Sequence, residues 1–178
     1  IFIFCSLKIY IINHLFNFIS MQKLFKTVLF SFLVAVGLQA QVSFSDNFDS
    51  YPPDTYLGLN NNKWTTWSKL PGSDEDAKVT AEKSNSPNNS VYIFAKSNSG
   101  GPMDLVLPFG EVFSKGNFVF KMAMFVPEKK TGYFNLQGDA TIGGTWALDV
   151  DFNANGIVSF SNGSTTLLAT QYPVNEWF

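Results

Sequence analysis

Residues 117–126 read NFVFKMAMFV, and this stretch decides the fold class of the chain. Every second position from Phe118 onward carries a large apolar side chain, whereas the positions between them mix apolar residues with Lys121. A period of two is typical of a β-strand, and a wholly apolar face opposite a mixed face predicts a strand packed against a second sheet. The predicted buried face comprises Phe118, Phe120, Met122, Met124 and Val126.

Residues 145–152, TWALDVDF, alternate with a sharper contrast. Large apolar side chains occupy every second position from Trp146 to Phe152, and Asp149 and Asp151 point the other way with Ala147. The pattern predicts that Trp146 lies in the core and that both aspartates lie on the solvent side of the sheet.

Eight further stretches alternate similarly and are separated by turns rich in Gly, Pro and Asn. No stretch after residue 41 has a sustained helical period. We therefore predict an all-β fold, a two-sheet antiparallel β-sandwich, with the jelly roll as its most economical topology. The remaining predicted strands are residues 42–48, 63–67, 77–82, 90–96, 104–107, 132–137, 157–161 and 165–169.

The first forty residues divide into two segments that we predict to lie outside the folded domain. Residues 21–40 contain a short basic region, an apolar region and a cleavage site after Ala40, which are the parts of a secretory signal peptide. Residues 1–20 begin without Met and interrupt an apolar run with polar residues. A membrane anchor is one interpretation of them, and upstream sequence ahead of Met21 is the one we favour. The predicted domain is then residues 42–178, secreted or held at the cell surface, with no membrane span.

The residue inventory excludes several kinds of chemistry. The only cysteine and histidine, Cys5 and His14, lie in the predicted upstream segment, and all 12 basic residues are lysines. A mature protein without Cys, His or Arg cannot use a Ser-His-Asp triad, a cysteine nucleophile, zinc held by His or Cys, or an arginine phosphate clamp. Loss of Lys8, Lys23 and Lys26 leaves nine lysines against 14 acidic residues, a net charge of −5. We therefore expect no nucleic-acid partner.

Five segments of the chain follow the pattern of a known family. They are DNFDSY (46–51), PFG with GNFVF (108–120), GYFNL (132–136), WALDVDF (146–152), and YP with Trp177 (172–177). Together they resemble the concanavalin A-like lectin/glucanase superfamily, particularly the LamG-like jelly-roll modules of large secreted bacterial proteins.

This resemblance implies a jelly roll that binds glycans or supports adhesion, and it suggests a substrate of type IX secretion. In that family a Trp placed like Trp177 opens a late strand, and further strands close the sandwich. We therefore expect the domain to be truncated after Phe178 and the chain to be a fragment of a longer protein.

A polar and aromatic face is predicted where residues 132–137 and 145–152 form neighbouring strands. An aromatic ring can stack on a sugar, while amides and carboxylates hydrogen-bond its hydroxyl groups. An ordinary solvated sheet face is the simpler interpretation of the same pattern. The candidate ligand-binding residues are Tyr133, Asn135, Gln137, Asp149 and Asp151.

Catalysis by carboxylates is the second functional hypothesis. Glucanases of the superfamily carry a Glu-x-Asp-x-x-Glu strand, which none of the five glutamates here matches. Asp149 and Asp151, two apart on one strand face, are expected about 7 Å apart, within the range of a glycosidase pair. A solvated outer face explains them as well, so we assign no catalytic residue.

Residues 151–156, DFNANG, match the first half of a calcium loop, with oxygen side chains at Asp151, Asn153 and Asn155 followed by Gly156. The twelfth position is Asn162, where such a loop needs Glu. Asn-Gly between two alternating runs also predicts a hairpin with a type I′ turn. We favour the hairpin, with calcium as the alternative and no other cofactor expected.

Trp64 and Trp67 lie three positions apart and cannot share a strand face. One of them is predicted to be buried and the other to be available for stacking on a ligand.

Three functions remain open. The leading one is a secreted or cell-surface, non-catalytic module that binds polysaccharide or glycan, or mediates adhesion. The second is a polysaccharide hydrolase or lyase acting through carboxylates such as Asp149 and Asp151. The third is a structural spacer.

Overall fold

The computed structural model describes residues 2–12, 43–97, 99–113 and 115–178. These ranges form antiparallel strands and one four-residue helix, which confirms the predicted all-β class. The elements are β1 (Phe2–Ile12), β2 (Ser43–Asp46), α1 (Leu57–Asn60), β3 (Thr65–Thr66), β4 (Lys78–Thr80), β5 (Ser90–Phe94), β6 (Leu105–Val106), β7 (Asn117–Phe125), β8 (Gly132–Gln137), β9 (Trp146–Phe152), β10 (Ile157–Asn162) and β11 (Thr165–Gln171).

The larger sheet has five strands, with β2 and β5 along one edge of β1 and β7 along the other. Strand β4 extends the sheet beyond β5. The structure thus places residues 2–12 within the sheet, although the sequence interpretation sets residues 1–20 apart from the domain. Their Ile- and Phe-rich composition is typical of a strand. The predicted signal peptide, residues 21–40, lies outside the described residues, and the domain boundary at residue 42 stays a prediction.

The second sheet is a four-stranded antiparallel meander in the order β11-β10-β9-β8. Strands β3 and β6 form a separate two-stranded ladder. At the end of the chain, Trp177 bridges to Phe125, and Phe178 exchanges two backbone hydrogen bonds with Met124, at 3.0 and 3.1 Å.

The β9–β10 connection is a hairpin, as predicted, but its turn type is not the predicted one. Gly156 has a φ of 79°, whereas Asn155 has no positive φ, and a type I′ turn needs both. The amide of Gly156 bonds the carbonyl of Asn153 at 3.2 Å, and the amide of Asn153 bonds the carbonyl of Ile157 at 2.9 Å. The loop is therefore a three-residue one, in which a type I turn is followed by a left-handed glycine. Its cause is the Asn153 side chain, whose oxygen accepts the amides of Asn155 and Ile157.

The two larger sheets pack face to face and form an antiparallel β-sandwich. The core between them joins alternate residues of β7 to those of β9 and β10, and each fully buried side chain of this kind stabilises the fold by about 1.5–3 kcal/mol. The predicted inner face of β7 is confirmed from Phe120 to Val126, whereas Phe118 at the strand start is 36% exposed. The buried residues of this cluster are Met124, Val126, Val150, Phe152, Val158 and Tyr172.

A buried aspartate organises the loops at the other end of the core. Asp46, only 6% exposed, accepts hydrogen bonds from the amide of Phe48 at 3.0 Å and the phenol of Tyr51 at 2.9 Å. Its second oxygen also accepts from Asn61 Nδ2 and from Trp64 Nε1, both at 3.1 Å. The DNFDSY segment therefore begins with a structural carboxylate whose oxygens already hold four donors.

Candidate functional site

Strands β8, β9 and β10 bring the candidate sugar-binding residues to one surface. Tyr133 is paired with Asp151 and Asn135 with Asp149, and paired residues of antiparallel strands project from the same face. On β10, Ser159 lies opposite Asp151 and extends the row. We call this surface the polar face; it comprises Tyr133, Asn135, Gln137, Trp146, Asp149, Asp151, Ser159 and Ser161.

Hydrogen bonds connect the polar face into one chain. The Tyr133 phenol donates to Asp149 Oδ1 at 2.5 Å, and Asn135 Nδ2 donates to the phenol oxygen at 3.2 Å. Gln137 Nε2 donates to Asn135 Oδ1 at 3.3 Å, and the amide of Gly143 donates to Gln137 Oε1 at 2.7 Å. Such a chain holds each side chain in one conformation, so that less entropy is lost when a ligand binds.

Trp146 faces outward, and its predicted place in the core is wrong. The β8–β9 register shifts at this point, because Leu136 pairs with Leu148 whereas Gln137 pairs with Trp146. Ala147 is therefore an extra residue in β9, and a bulge of this kind reverses the alternation beyond it. Trp146 is 39% exposed as a result and lies beside Gln137 on the polar face.

Trp67 completes an aromatic pair with Trp146. Their ring centroids are 6.1 Å apart with planes inclined by 35°, and Trp67 is 37% exposed. Gly143 lies against Trp67, since a Cβ at that position would fall 2.7 Å from the indole ring. The prediction for the other tryptophan is confirmed, because Trp64 is buried and bonded to Asp46.

The acidic groups of the polar face differ from one another in environment. Burial raises the pKa of Tyr133, and the hydrogen bond to Asp149 raises it further, so the phenol stays protonated and remains a donor at neutral pH. Burial also raises the pKa of Asp151, with the charge of Asp149 as the second cause. The Asp149 carboxylate accepts a hydrogen bond from a side chain, and the Asp151 carboxylate accepts none within the described residues.

A second acidic pair, not predicted from the sequence, lies beside Trp67. Glu75 accepts from Ser68 Oγ at 2.7 Å and from the Ser68 amide at 2.8 Å, and these bonds lower its pKa. Burial and then the charge of Glu75 raise the pKa of Asp104, whose carbonyl accepts the Trp67 amide at 3.0 Å. Glu75 and Asp104 come together because β3 pairs with β6, and no local pattern indicates that pairing.

Two of the three candidate calcium ligands, Asp151, Asn153 and Asn155, have other roles in the structure, and calcium binding there stays a prediction. The side-chain oxygen of Asn153 accepts two backbone amides, from Asn155 at 2.9 Å and from Ile157 at 3.1 Å, and is committed to the turn. Asp151 belongs to the polar face instead. Across the described ranges, no group of three or more His, Cys, Asp or Glu side chains is arranged to hold a metal ion.

Comparison with known proteins finds no matching family model, curated protein or solved structure. The resemblance to concanavalin A-like modules therefore stays an expectation. Within the part of the chain that the structure describes, no helix is long and apolar enough to cross a membrane.

Proposed function

We propose that this protein is a secreted or cell-surface, non-catalytic β-sandwich module that binds carbohydrate through the polar face. The observation that carries the proposal is the junction of two elements: the exposed Trp67–Trp146 pair and the hydrogen-bonded row from Gln137 to Asp149. The junction, whose aromatic pair we call the platform, combines exposed aromatic rings with fixed polar groups, which is the combination that sugar recognition requires.

The chemistry of the row suits a sugar that lies across it. A pyranose ring presents C–H groups on its faces and hydroxyl groups around its edge. The tryptophan pair can cover a face of the ring. At the edge, the amides of Asn135 and Gln137 can donate and accept further hydrogen bonds, and the carboxylate of Asp149 can accept them. The same groups bond one another before a ligand arrives, which reduces the entropic cost of binding.

Secretion and jelly-roll topology belong to the same proposal. The signal-like residues 21–40 support export, and the resemblance to LamG-like modules supports a glycan-binding or adhesive role at the cell surface. The absence of Arg, Cys and His beyond residue 40 is consistent with a ligand that is neither a nucleotide nor a thiol.

The test is a glycan array probed with the full chain, followed by calorimetry on the best ligand. Trp146→Ala removes half of the platform and should lower affinity at least fivefold, because stacking on one aromatic side chain contributes on the order of 1–3 kcal/mol. Val112→Ala, which truncates an exposed apolar side chain outside the polar face, serves as the matched control and should bind normally. Failure to bind any glycan on the array would contradict the proposal and leave the spacer as the simplest function.

A polysaccharide hydrolase or lyase is the second candidate. The observation that favours it is the raised pKa of Asp151, which burial raises first and the charge of the neighbouring Asp149 second. A carboxyl with a raised pKa beside an ionised one is the arrangement of a general acid with its partner. Release of reducing sugars that disappears in Asp149→Asn would establish catalysis and overturn the non-catalytic proposal.

A further inference from the structure

The meander that carries the polar face has no positive charge. Residues 131–178 contain no Lys, Arg or His, and their four acidic residues are Asp139, Asp149, Asp151 and Glu176. Two of these carboxylates, Asp149 and Asp151, stand on the polar face itself. A ligand on this face therefore meets negative charge without a compensating cation from the same sheet.

The carboxylate of Asp151 is the part of this charge that is available to a ligand. The Asp149 carboxylate is hydrogen-bonded to the Tyr133 phenol, whereas no hydrogen bond or ion pair joins the Asp151 carboxylate to another residue in the described ranges. Asp151 is also exposed and is paired across the sheet with Tyr133 and Ser159. A ligand that stacks beside Tyr133 would thus bring its substituents next to a free carboxylate.

The loop that carries Trp67 does not add net positive charge beside the polar face. Lys69 follows Trp67 by two residues, but Glu75 is bonded to Ser68 between them. Asp104 is close enough to Glu75 for the two charges to interact. The cation of this loop is therefore accompanied by two acids, and the surroundings of the aromatic pair stay negative.

We propose that the polar face selects carbohydrate by charge: it binds sugars that carry a protonated amine in preference to neutral ones and rejects uronic or sulfated sugars. This inference rests on the proposed function and specifies its ligand class. A sugar ammonium beside Asp151 forms an ion pair at a partly exposed site, for which we expect a gain of about fivefold in affinity over the uncharged sugar. An acidic sugar at the same position meets two like charges.

The experiment compares two ligands that differ in charge at the same position. Short β-1,4-linked glucosamine oligosaccharides and their N-acetylated forms are titrated into the full chain by calorimetry at about pH 6, where an aspartate is ionised and a primary amine is protonated. We expect tighter binding of the amine form, with a preference that declines as salt is added. Asp151→Asn should abolish the preference, whereas Asp54→Asn, the same change of charge in the exposed loop before α1, should preserve it.

Each outcome decides between the two proposals. Equal binding of both forms, or tighter binding of an acidic glycan, overturns charge selection and leaves carbohydrate binding intact. Binding to other sugars on the array but to neither glucosamine form also overturns it. Failure to bind any glycan overturns the proposed function itself. A preference that survives in Asp151→Asn shows that another group recognises the amine and contradicts the role of Asp151.

Discussion

Tyr133 donates a 2.5 Å hydrogen bond to Asp149, although the residue directly opposite Tyr133 on β9 is Asp151. The bond is diagonal, and it makes the two carboxylates of β9 unequal. Asp149 becomes part of a fixed network, while Asp151 keeps its oxygens for solvent or a ligand. One phenol thus determines which carboxylate of the polar face is structural and which is available.

Replacement of Tyr133 by Phe tests this division of roles. The ring remains and only the hydroxyl is lost, so that Asn135 and Asp149 each lose a partner. A hydrogen bond to a charged group contributes about 1.5–3 kcal/mol to stability, so we expect Tm to fall by several degrees. Because Asn135 and Asp149 are then no longer held in place, we also expect a loss of sugar affinity of about fivefold. Calorimetry and thermal unfolding measure the two effects. The control is Tyr56→Phe, because the Tyr56 ring contacts Lys78 away from the polar face. An unchanged sugar affinity in Tyr133→Phe would contradict the role of the phenol.

The raised pKa of Asp151 predicts that the protein becomes more stable when the charge of this residue is removed. Because burial and the charge of Asp149 raise its pKa from 3.8, the protonated form is the one that the fold favours. Its contribution to stability is present at pH values below 3.8 and is lost as pH rises through the folded-state pKa. Asp151→Asn should therefore raise Tm at pH 7, and this gain should shrink toward acidic pH, where wild-type Asp151 is also uncharged.

Thermal unfolding followed across this pH range provides the measurement. A gain of the same size at every pH would mean that the amide stabilises by packing or hydrogen bonding rather than by loss of charge. Stability given up for an unpaired charge is the pattern expected of a binding residue, because selection for function tolerates such costs.

Asp46 is predicted to be the most sensitive carboxylate of the loop region. Asp46→Ala leaves the buried Phe48 amide and the buried Trp64 indole without their acceptor, and each unsatisfied buried donor costs about 1–3 kcal/mol. We expect a loss of about 3 kcal/mol or more in the free energy of unfolding, measured by urea denaturation. The control is Asp54→Asn, a conservative change at an exposed aspartate, which should leave the free energy of unfolding nearly unchanged. A similarly small effect of Asp46→Ala would contradict the prediction and show that water replaces the carboxylate.

Local periodicity predicted the strands because burial on one side imposes it. The alternation in residues 117–126 and 132–137 corresponds to β7 and β8, whose inner faces meet a second sheet. The same rule failed at Trp146, since one extra residue in β9 reverses every side chain beyond it and leaves no mark in the alternation.

The five candidate residues could be named from the sequence, because each alternates with core residues on a strand. The contribution of Trp67 could not, because it lies 79 residues before Trp146 and reaches the polar face only through the packing of a loop. The hairpin likewise followed from Asn-Gly, but its turn type depends on where the Asn153 side chain bonds. The position of Trp67 and the turn type could not be predicted, because they depend on which groups a side chain contacts or bonds in the folded chain.

Gly143→Ala tests the role of the Trp67–Trp146 pair, because the added methyl group collides with the Trp67 ring. A Cβ at residue 143 would lie 2.7 and 2.8 Å from two atoms of the Trp67 ring, so the indole must shift from its place beside Trp146. We expect a weaker coupling between the two indoles in near-ultraviolet circular dichroism and at least a fivefold loss of sugar affinity.

Gly110→Ala is the matched control, because Gly110 has a similar φ of 87° against 79° for Gly143 but nothing within 4 Å of the added carbon. Both substitutions place a side chain in the left-handed region and should cost about 1 kcal/mol of stability from the backbone alone. Only the change at Gly143 disturbs the platform. Gly143 also donates its amide to Gln137, so the variant tests the indole and that hydrogen bond together. Equal sugar affinities in the two variants would therefore show that neither of them matters for the ligand.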